Sequence, residues 1–217
     1  MQSKIFDLGL VNFGYAWQFQ KGIHAQVKMS SIPAALILCR HYPVVTAGRL
    51  ANKQNLLVSL ADLNSAGVKY FELERGGDMT YHGPGQLTVY PVINLHDFRC
   101  DLHWYLRQLE KIIIKCLADF GVVGQRIKGF TGVWVNDKKI ASIGIAVKNW
   151  ITWHGISVNI KSDDLDNFHL IRPCGMDIEM TSLESELKSN IEIESVKENI
   201  IHNFKDTISL QEEEALR

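Results

Sequence analysis

Cys174 stands in Ile171-Arg172-Pro173-Cys174-Gly175-Met176, outside any strong apolar periodicity. The proline before it stiffens the chain, and the glycine after it leaves room at the sulfur. A thiol attacks as its thiolate, and a free cysteine titrates near pH ~8.5, so a nucleophile here needs a cation beside it. Lys139, at the head of Lys139-Ile140-Ala141-Ser142-Ile143-Gly144, could supply that charge if its strand lies against the site. The simpler reading stands beside it: Lys138 and Lys139 as two solvated charges at a hairpin tip. The remaining cysteines differ in setting. Cys39 ends an apolar strand and Cys116 lies in an apolar helix, as small hydrophobes do; Cys100 falls in a polar turn.

A second constellation is Arg75-Gly76-Gly77-Asp78-Met79-Thr80-Tyr81-His82-Gly83-Pro84-Gly85-Gln86. Four glycines in so short a run mark backbone that must bend or be closely approached. The run reads as a shaped loop whose amides face a ligand, with Arg75 and His82 as polar handles, or as a tight double turn between two strands. A third piece is His154-Gly155-Ile156-Ser157. Gly144 and Gly155 both fall in strand interiors, where glycine weakens the strand unless something comes close to the backbone. As neighbours they would open a slot for an elongated apolar ligand. His82 and His154 have the chemistry of general bases or oxyanion partners, and equally that of hydrogen-bonded structural histidines.

The totals bound the rest. A chain of 217 residues with 46% hydrophobic content suits one domain, 1–217, with a full core. A net charge of −1 provides no global field toward nucleic acid or an anionic membrane. No apolar run is long enough to span a bilayer, and Met1 to Asp7 lacks the apolar stretch of a secretory signal, so a cytoplasmic protein is expected. The cysteines form no CxxC pair and no zinc spacing, and no metal is expected.

Strands are expected at Ile5 to Val11, Ala34 to Cys39, Val68 to Leu73 and Leu87 to Leu95. Gly132 to Val135, Lys139 to Val147 and Ile151 to Ile160 read as a β-meander. Helices are expected at Phe13 to Met29 with Asn12 as N-cap, and at Ser59 to Ala66. The clearest runs from Leu102 to Phe120, capped by Asp101 and stopped by Gly121; another spans Ser195 to Ile208. Residues 211–217 read as a solvated acidic tail. Alternation early and clustered strands late argue for an α/β (α+β) domain with a mixed sheet flanked by helices.

Taken in order, the Arg75–Gln86 run, Lys139-Ile140-Ala141-Ser142-Ile143-Gly144, His154-Gly155 and Pro173-Cys174-Gly175 resemble the lipoyl(octanoyl) transferases of lipoate biosynthesis. Asp7-Leu8-Gly9-Leu10-Val11 and His41-Tyr42-Pro43-Val44-Val45-Thr46-Ala47-Gly48-Arg49 are similar to that family too. The resemblance implies the fold shared by biotin protein ligases and lipoate ligases. It implies an acyl-thioester on Cys174 and a pKa-lowering role for Lys139. It implies substrate contacts from Arg75, Gly76, Gly77, Asp78, Met79, Thr80, Tyr81 and His82, from Ser142, Ile143 and Gly144, and from Gly155, Ile156 and Ser157. The implied donor is octanoyl-acyl carrier protein. The implied acceptors are lysines of the lipoyl domains of 2-oxoacid dehydrogenases and of the glycine cleavage H protein. No cofactor is needed, because a thioester is already activated, and a monomer is expected. Amides of the glycine run and of Gly175 are candidates for an oxyanion site, and Arg49, Arg75 or Lys148 for a docking patch. Tyr42, Ala47 and Met176 depart from the family pattern and would reshape the acyl pocket. The rival readings are an ATP-dependent lipoate or biotin ligase, a lipoyl amidotransferase and a catalytically silent carrier-binding module.

Overall fold

The run Ala34-Ala35-Leu36-Ile37-Leu38-Cys39 has no polar residue for a solvent face, so its stable place is a strand covered on both sides. It forms β2 (Ala34–His41), buried throughout except at Arg40. The computed structural model describes residues 3–175 and 177–215; the side chains of Cys174 and of residues 209–215 lie outside that description. β2 pairs in parallel with β1 (Lys4–Val11) and antiparallel with β6 (Gln86–Ile93). β6 continues to β9 (Ile151–Asn159), then β8 (Lys138–Lys148) and β7 (Val133–Val135), all antiparallel. This six-stranded mixed sheet contains the expected meander.

A second sheet of three strands packs beside it, in the order β4-β3-β5: β3 (Val44–Ala47) lies between β4 (Lys69–Glu72), parallel to it, and β5 (Met79–His82), antiparallel to it. Sequence reading did not separate β5 from the glycine run around it. Its four residues are buried, because they pair with β3 across a full register from Val44↔His82 to Ala47↔Met79.

Helices close both faces of the large sheet. α1 (Phe13–Lys28) lays Ala16, Ile23 and Val27 on Ile37 and Cys39. Asn12 holds its N-cap position with no side-chain cap bond. α2 (Leu60–Ser65) has a reciprocal capping box between Ser59 and Asp62. α3 (Leu102–Asp119) begins where the Asp101 carboxylate accepts from the Trp104 amide at 3.0 Å. Its Leu109, Ile112, Ile113 and Cys116 are buried among Leu36, Leu38, Val196, Ile200 and Phe204. Each such side chain contributes about 1.5–3 kcal/mol by leaving water. The short α4 (Leu183–Leu187) was not expected, and α5 (Ile193–Ala215) continues past residue 211, where a tail was expected to begin. No helix among the described residues is long and apolar enough to cross a membrane.

Candidate active site

A cavity of about 410 Å³ opens where the small sheet leans on β8 and β9. That is the size of a small-ligand site. Its wall brings together Arg75, Gly76, Gly77, Asp78, Met79, Thr80 and His82 with Lys139, Ser142, Ile143, Gly144, Gly155, Ile156 and Ser157, and Pro173 closes one side. Most of the expected site residues thus meet in one place. Tyr81 does not. It packs in the cluster around Phe168, where its hydroxyl accepts from Asn167 Nδ2 at 3.0 Å. Tyr42 and Ala47 also lie off the cavity, Tyr42 half exposed and Ala47 packed in that same cluster.

Lys139 is not a solvated tip charge. It is only 4% exposed, with its ammonium 5.0 Å from the Trp134 ring centre, while Lys138 pairs with Glu179 at the surface. A buried lysine needs stabilising partners, and Lys139 is not without a partner in the fold. Gly132 makes its place. A Cβ there would lie 2.8 Å from Lys139 Cε and 2.5 Å from the Ala141 carbonyl oxygen. The Gly132 amide donates to Glu110 Oε1 at 3.3 Å. Glu110, almost fully buried, also accepts from Arg107 at 2.6 Å and from Arg126 at 2.8 Å. This carboxylate pins the 125–132 segment, which contributes Gly129, Phe130 and Thr131 to the cavity wall. A charged residue in the middle of an amphipathic helix reads as surface, so its role was not legible in the sequence.

The Pro173–Gly175 turn is held on both flanks. Before it, Ile171 bridges Leu56 and the Arg172 amide donates to the Asn55 carbonyl at 2.7 Å. After it, the Lys139 amide donates to Glu179 O at 2.8 Å and the Thr181 amide to Lys139 O at 2.9 Å. The chain thus leaves Asn55 at residue 172 and reaches the head of β8 only at residues 179–181, with Pro173–Gly175 packed against β5 and the Lys53–Asn55 turn. The thiol of Cys174 and the whole of Met176 lie outside the described residues. Gly175, at φ +69, donates its amide to Arg172 O within the turn, and the Gly76 amide donates to Ile145 O, so neither of these amides is oriented to an oxyanion.

The glycine run divides in function. Residues 75–78 bend against residues 48–50, through Gly48 N to Asp78 O, Arg49 N to Arg75 O and Leu50 N to Gly77 O. Arg75 is turned inward, with Nη2 donating to the Thr46 carbonyl at 2.5 Å and to its hydroxyl at 3.0 Å, so it is no docking charge. The Asp78 carboxylate accepts from the Asn52 amide at 3.2 Å and from Asn55 Nδ2. Gly83 and Gly85 face Asp164 and lie off the cavity, as a packed turn does. The Gly83–Gly85 half is a packed turn, while residues 75–78 line the cavity wall.

Gly144 and Gly155 are indeed neighbours, paired across β8 and β9, but the space each leaves is filled by protein. A Cβ on Gly144 would meet Gly76 O at 3.0 Å, and one on Gly155 would meet Val89 O at 2.3 Å. Pro91 explains the local break. It has no N–H for the ladder, the β6–β9 register ends at Val89↔Ile156, and the Thr152 hydroxyl donates to Pro91 O at 2.8 Å instead. There His154 adopts φ +56, a conformation that a non-glycine residue holds only when its surroundings enforce it, and its amide donates to Gln20 Oε1.

His41, His82 and His154 are buried, and burial lowers the pKa of each. Burial holds His82 well below its ordinary pKa, aided by neighbouring His41 and Arg75. Its Nδ1 lies 3.2 Å from Gln86 Oε1, whose amide nitrogen already donates to Tyr81 O, so Nδ1 carries the proton and Nε2 accepts from the Thr46 hydroxyl. His41, pushed down to about 4 by burial, donates from Nδ1 to Val11 O and accepts from the Tyr90 hydroxyl at 2.7 Å. Burial also lowers His154, whose Nε2 is 3.9 Å from Glu74 Oε1. That ring, with the indole N–H groups of Trp153 and Trp17, keeps the Glu74 carboxyl well below the usual range. Cys39 and Cys116 are core cysteines with thiols raised by burial; Cys100 is exposed.

A mixed sheet whose apolar cavity ends at a buried lysine beside a Pro-Cys-Gly turn has the architecture of an acyltransferase catalytic domain, and the relatives named below bear out that class. The chain belongs to the lipoyl protein ligase A/B catalytic domain family, whose model matches residues 12–205. The octanoyltransferase of Gloeobacter violaceus is 41% identical over 208 residues, covering 95% of this chain and 90% of that protein. The octanoyltransferase of Cytophaga hutchinsonii is 38% identical over 218 residues, covering 91% and 89%. Among solved structures, lipoate-protein ligase A bound with ATP superimposes with a TM-score of 0.79 at 17% identity, over 96% of this chain and 86% of that one. Biotin protein ligase from Aquifex aeolicus with biotin and ATP does so with 0.60 at 12% identity, over 97% and 72%. The fold shared with both ligase families is the one the sequence motifs implied.

Proposed function

We propose that the protein transfers an octanoyl group from octanoyl-acyl carrier protein to a lysine amine of lipoyl domains, those of 2-oxoacid dehydrogenases and the glycine cleavage H protein. The observation that carries this reading is the meeting of buried Lys139 and Pro173 on one cavity with the glycine run. In the first step the Cys174 thiolate attacks the donor thioester carbonyl. A new C–S bond forms, and the carrier's sulfur leaves and takes up a proton. In the second step the acceptor amine attacks, a C–N bond forms, the amine gives up a proton and the Cys174 thiolate is released. Lys139 as an ammonium favours the thiolate at both ends of the cycle. The acyl chain lies between Ile143 and Ile156 on one side and Met79 on the other, gaining about 0.8 kcal/mol per buried methylene. The donor is already activated, so no nucleotide enters the cycle.

Intact-protein mass spectrometry after incubation with octanoyl-acyl carrier protein tests donor and nucleophile together. An octanoyl adduct is expected on the wild type and absent from Cys174→Ser; an adduct of equal yield on both would end the reading. ATP–pyrophosphate exchange with octanoate would instead reveal a ligase of the same fold.

A further inference from the structure

Asp78 belongs to the segment expected to touch substrate, yet its carboxylate is turned into the protein. Oδ2 accepts from Asn55 Nδ2, and Oδ1 accepts from the Asn52 amide at 3.2 Å. Asn55 is buried, 8% exposed, and closes a short 3₁₀ turn, Lys53–Asn55, whose amide at Asn55 donates to Asn52 O. Its own carbonyl accepts from the Arg172 amide at 2.7 Å, two residues before Cys174. The Asn55 side chain also lies 3.5 Å from where a Cβ on Gly175 would stand. A continuous chain of contacts therefore runs from the glycine run through Asn55 to both flanks of residue 174. The second half of the motif, Gly83 to Gly85, packs on Asp164.

We infer that Asp78 and Asn55 are a pair of positioning residues that hold the Pro173–Gly175 turn against the cavity. This rests on the reading of Cys174 as the nucleophile. The wall that binds the acyl group and the turn that attacks it are thereby tied to one carboxylate. Misplacing a reacting group by a single ångström can reduce the rate by ~10²-fold, so a tether of this kind acts on the chemical step more than on affinity.

The test is the rate at which iodoacetamide alkylates Cys174, followed by peptide mass spectrometry without any acyl substrate. Asn55→Ala and Asp78→Ala are each expected to slow alkylation about tenfold, lower kcat and leave the KM for the acyl donor nearly unchanged. Because they break one tether, the double variant should be no slower than either single one. Asp78→Asn keeps an oxygen to accept from Asn55 Nδ2 and should recover most of the rate; if the alanine variants do not fold, Asn55→Asp, which sets a second carboxylate against Asp78 at unchanged size, should slow alkylation in their place. Alkylation at the wild-type rate or faster, or effects that multiply in the double variant, would overturn the proposal. A raised KM with unchanged alkylation would return Asp78 to substrate contact and overturn it too. Failure of the nucleophile reading shows separately, as an octanoyl adduct that survives Cys174→Ser.

Discussion

Gly132 and Lys139 are locked together: the place a Cβ would take on Gly132 is 2.8 Å from Lys139 Cε. The lysine side chain runs through the notch that glycine leaves, and the Glu110 carboxylate fixes the notch by accepting from the Gly132 amide. The Lys139 side chain on the cavity wall is thus placed by the Gly132 backbone, which a buried acid holds in turn.

Gly132→Ala puts a methyl group into that notch at φ +132, where side chains are strained. Lys139 or the β7 entrance must shift. Octanoyl transfer is expected to fall by about tenfold or more, since a small displacement of a reacting group has a large kinetic effect, and unfolding stability by about 1–3 kcal/mol, since the same methyl group lies 2.5 Å from the Ala141 carbonyl oxygen. Transfer at the wild-type rate by a folded Gly132→Ala protein would show that Lys139 does not need this placement.

The paired glycines of β8 and β9 should separate function from stability. Gly155→Ala drives a methyl group to 2.3 Å from Val89 O and 2.8 Å from Pro91 Cδ, backbone and ring atoms that cannot yield. A loss of about 1–3 kcal/mol in denaturant unfolding is expected from such overpacking. Gly144→Ala meets Gly76 O at 3.0 Å and Arg75 Cδ at 3.1 Å, on the bend that walls the cavity. It should raise the KM for the acyl donor several-fold with a nearly unchanged unfolding midpoint. Equal stability losses in the two variants would show that the Arg75–Gly76 bend is as rigid as the sheet.

Acid should act through His41. Its pKa is about 4 in the folded chain against 6.5 ordinarily. Between those values the unfolded chain takes up a proton that the folded chain refuses, so stability falls as pH drops from 6.5 to about 4. One full window is worth about 3 kcal/mol. His41→Gln removes the titration. The stability difference between wild type and variant, from denaturant unfolding at pH 7 and pH 4, should shift by that amount in favour of the variant in acid. Parallel curves would mean that His41 is protonated inside the fold.

Much was legible along the chain. The order of motifs placed it in its family, Asp101 and Ser59 announced the starts of α3 and α2, and the polar turns between apolar strands announced the meander. These are local properties: caps, turns and strand alternation act between residues close in sequence, so composition and spacing carry them. Cys39 and Cys116 read correctly as core for the same reason. What the linear order left open was decided by packing. Lys139 looked like one of two surface charges until Gly132 and the 179–181 segment closed over it. The glycine run looked like one loop until β3 drew four of its residues into a sheet. Gly144 and Gly155 suggested an empty slot, and the slot is filled by the carbonyls of Gly76 and Val89. Asn55 and Glu110 gave no signal at all, because a polar residue reveals a buried role only when its donors and acceptors arrive from distant parts of the chain. Those contacts depend on which surfaces the sheets press together, and that is a property of the assembled fold.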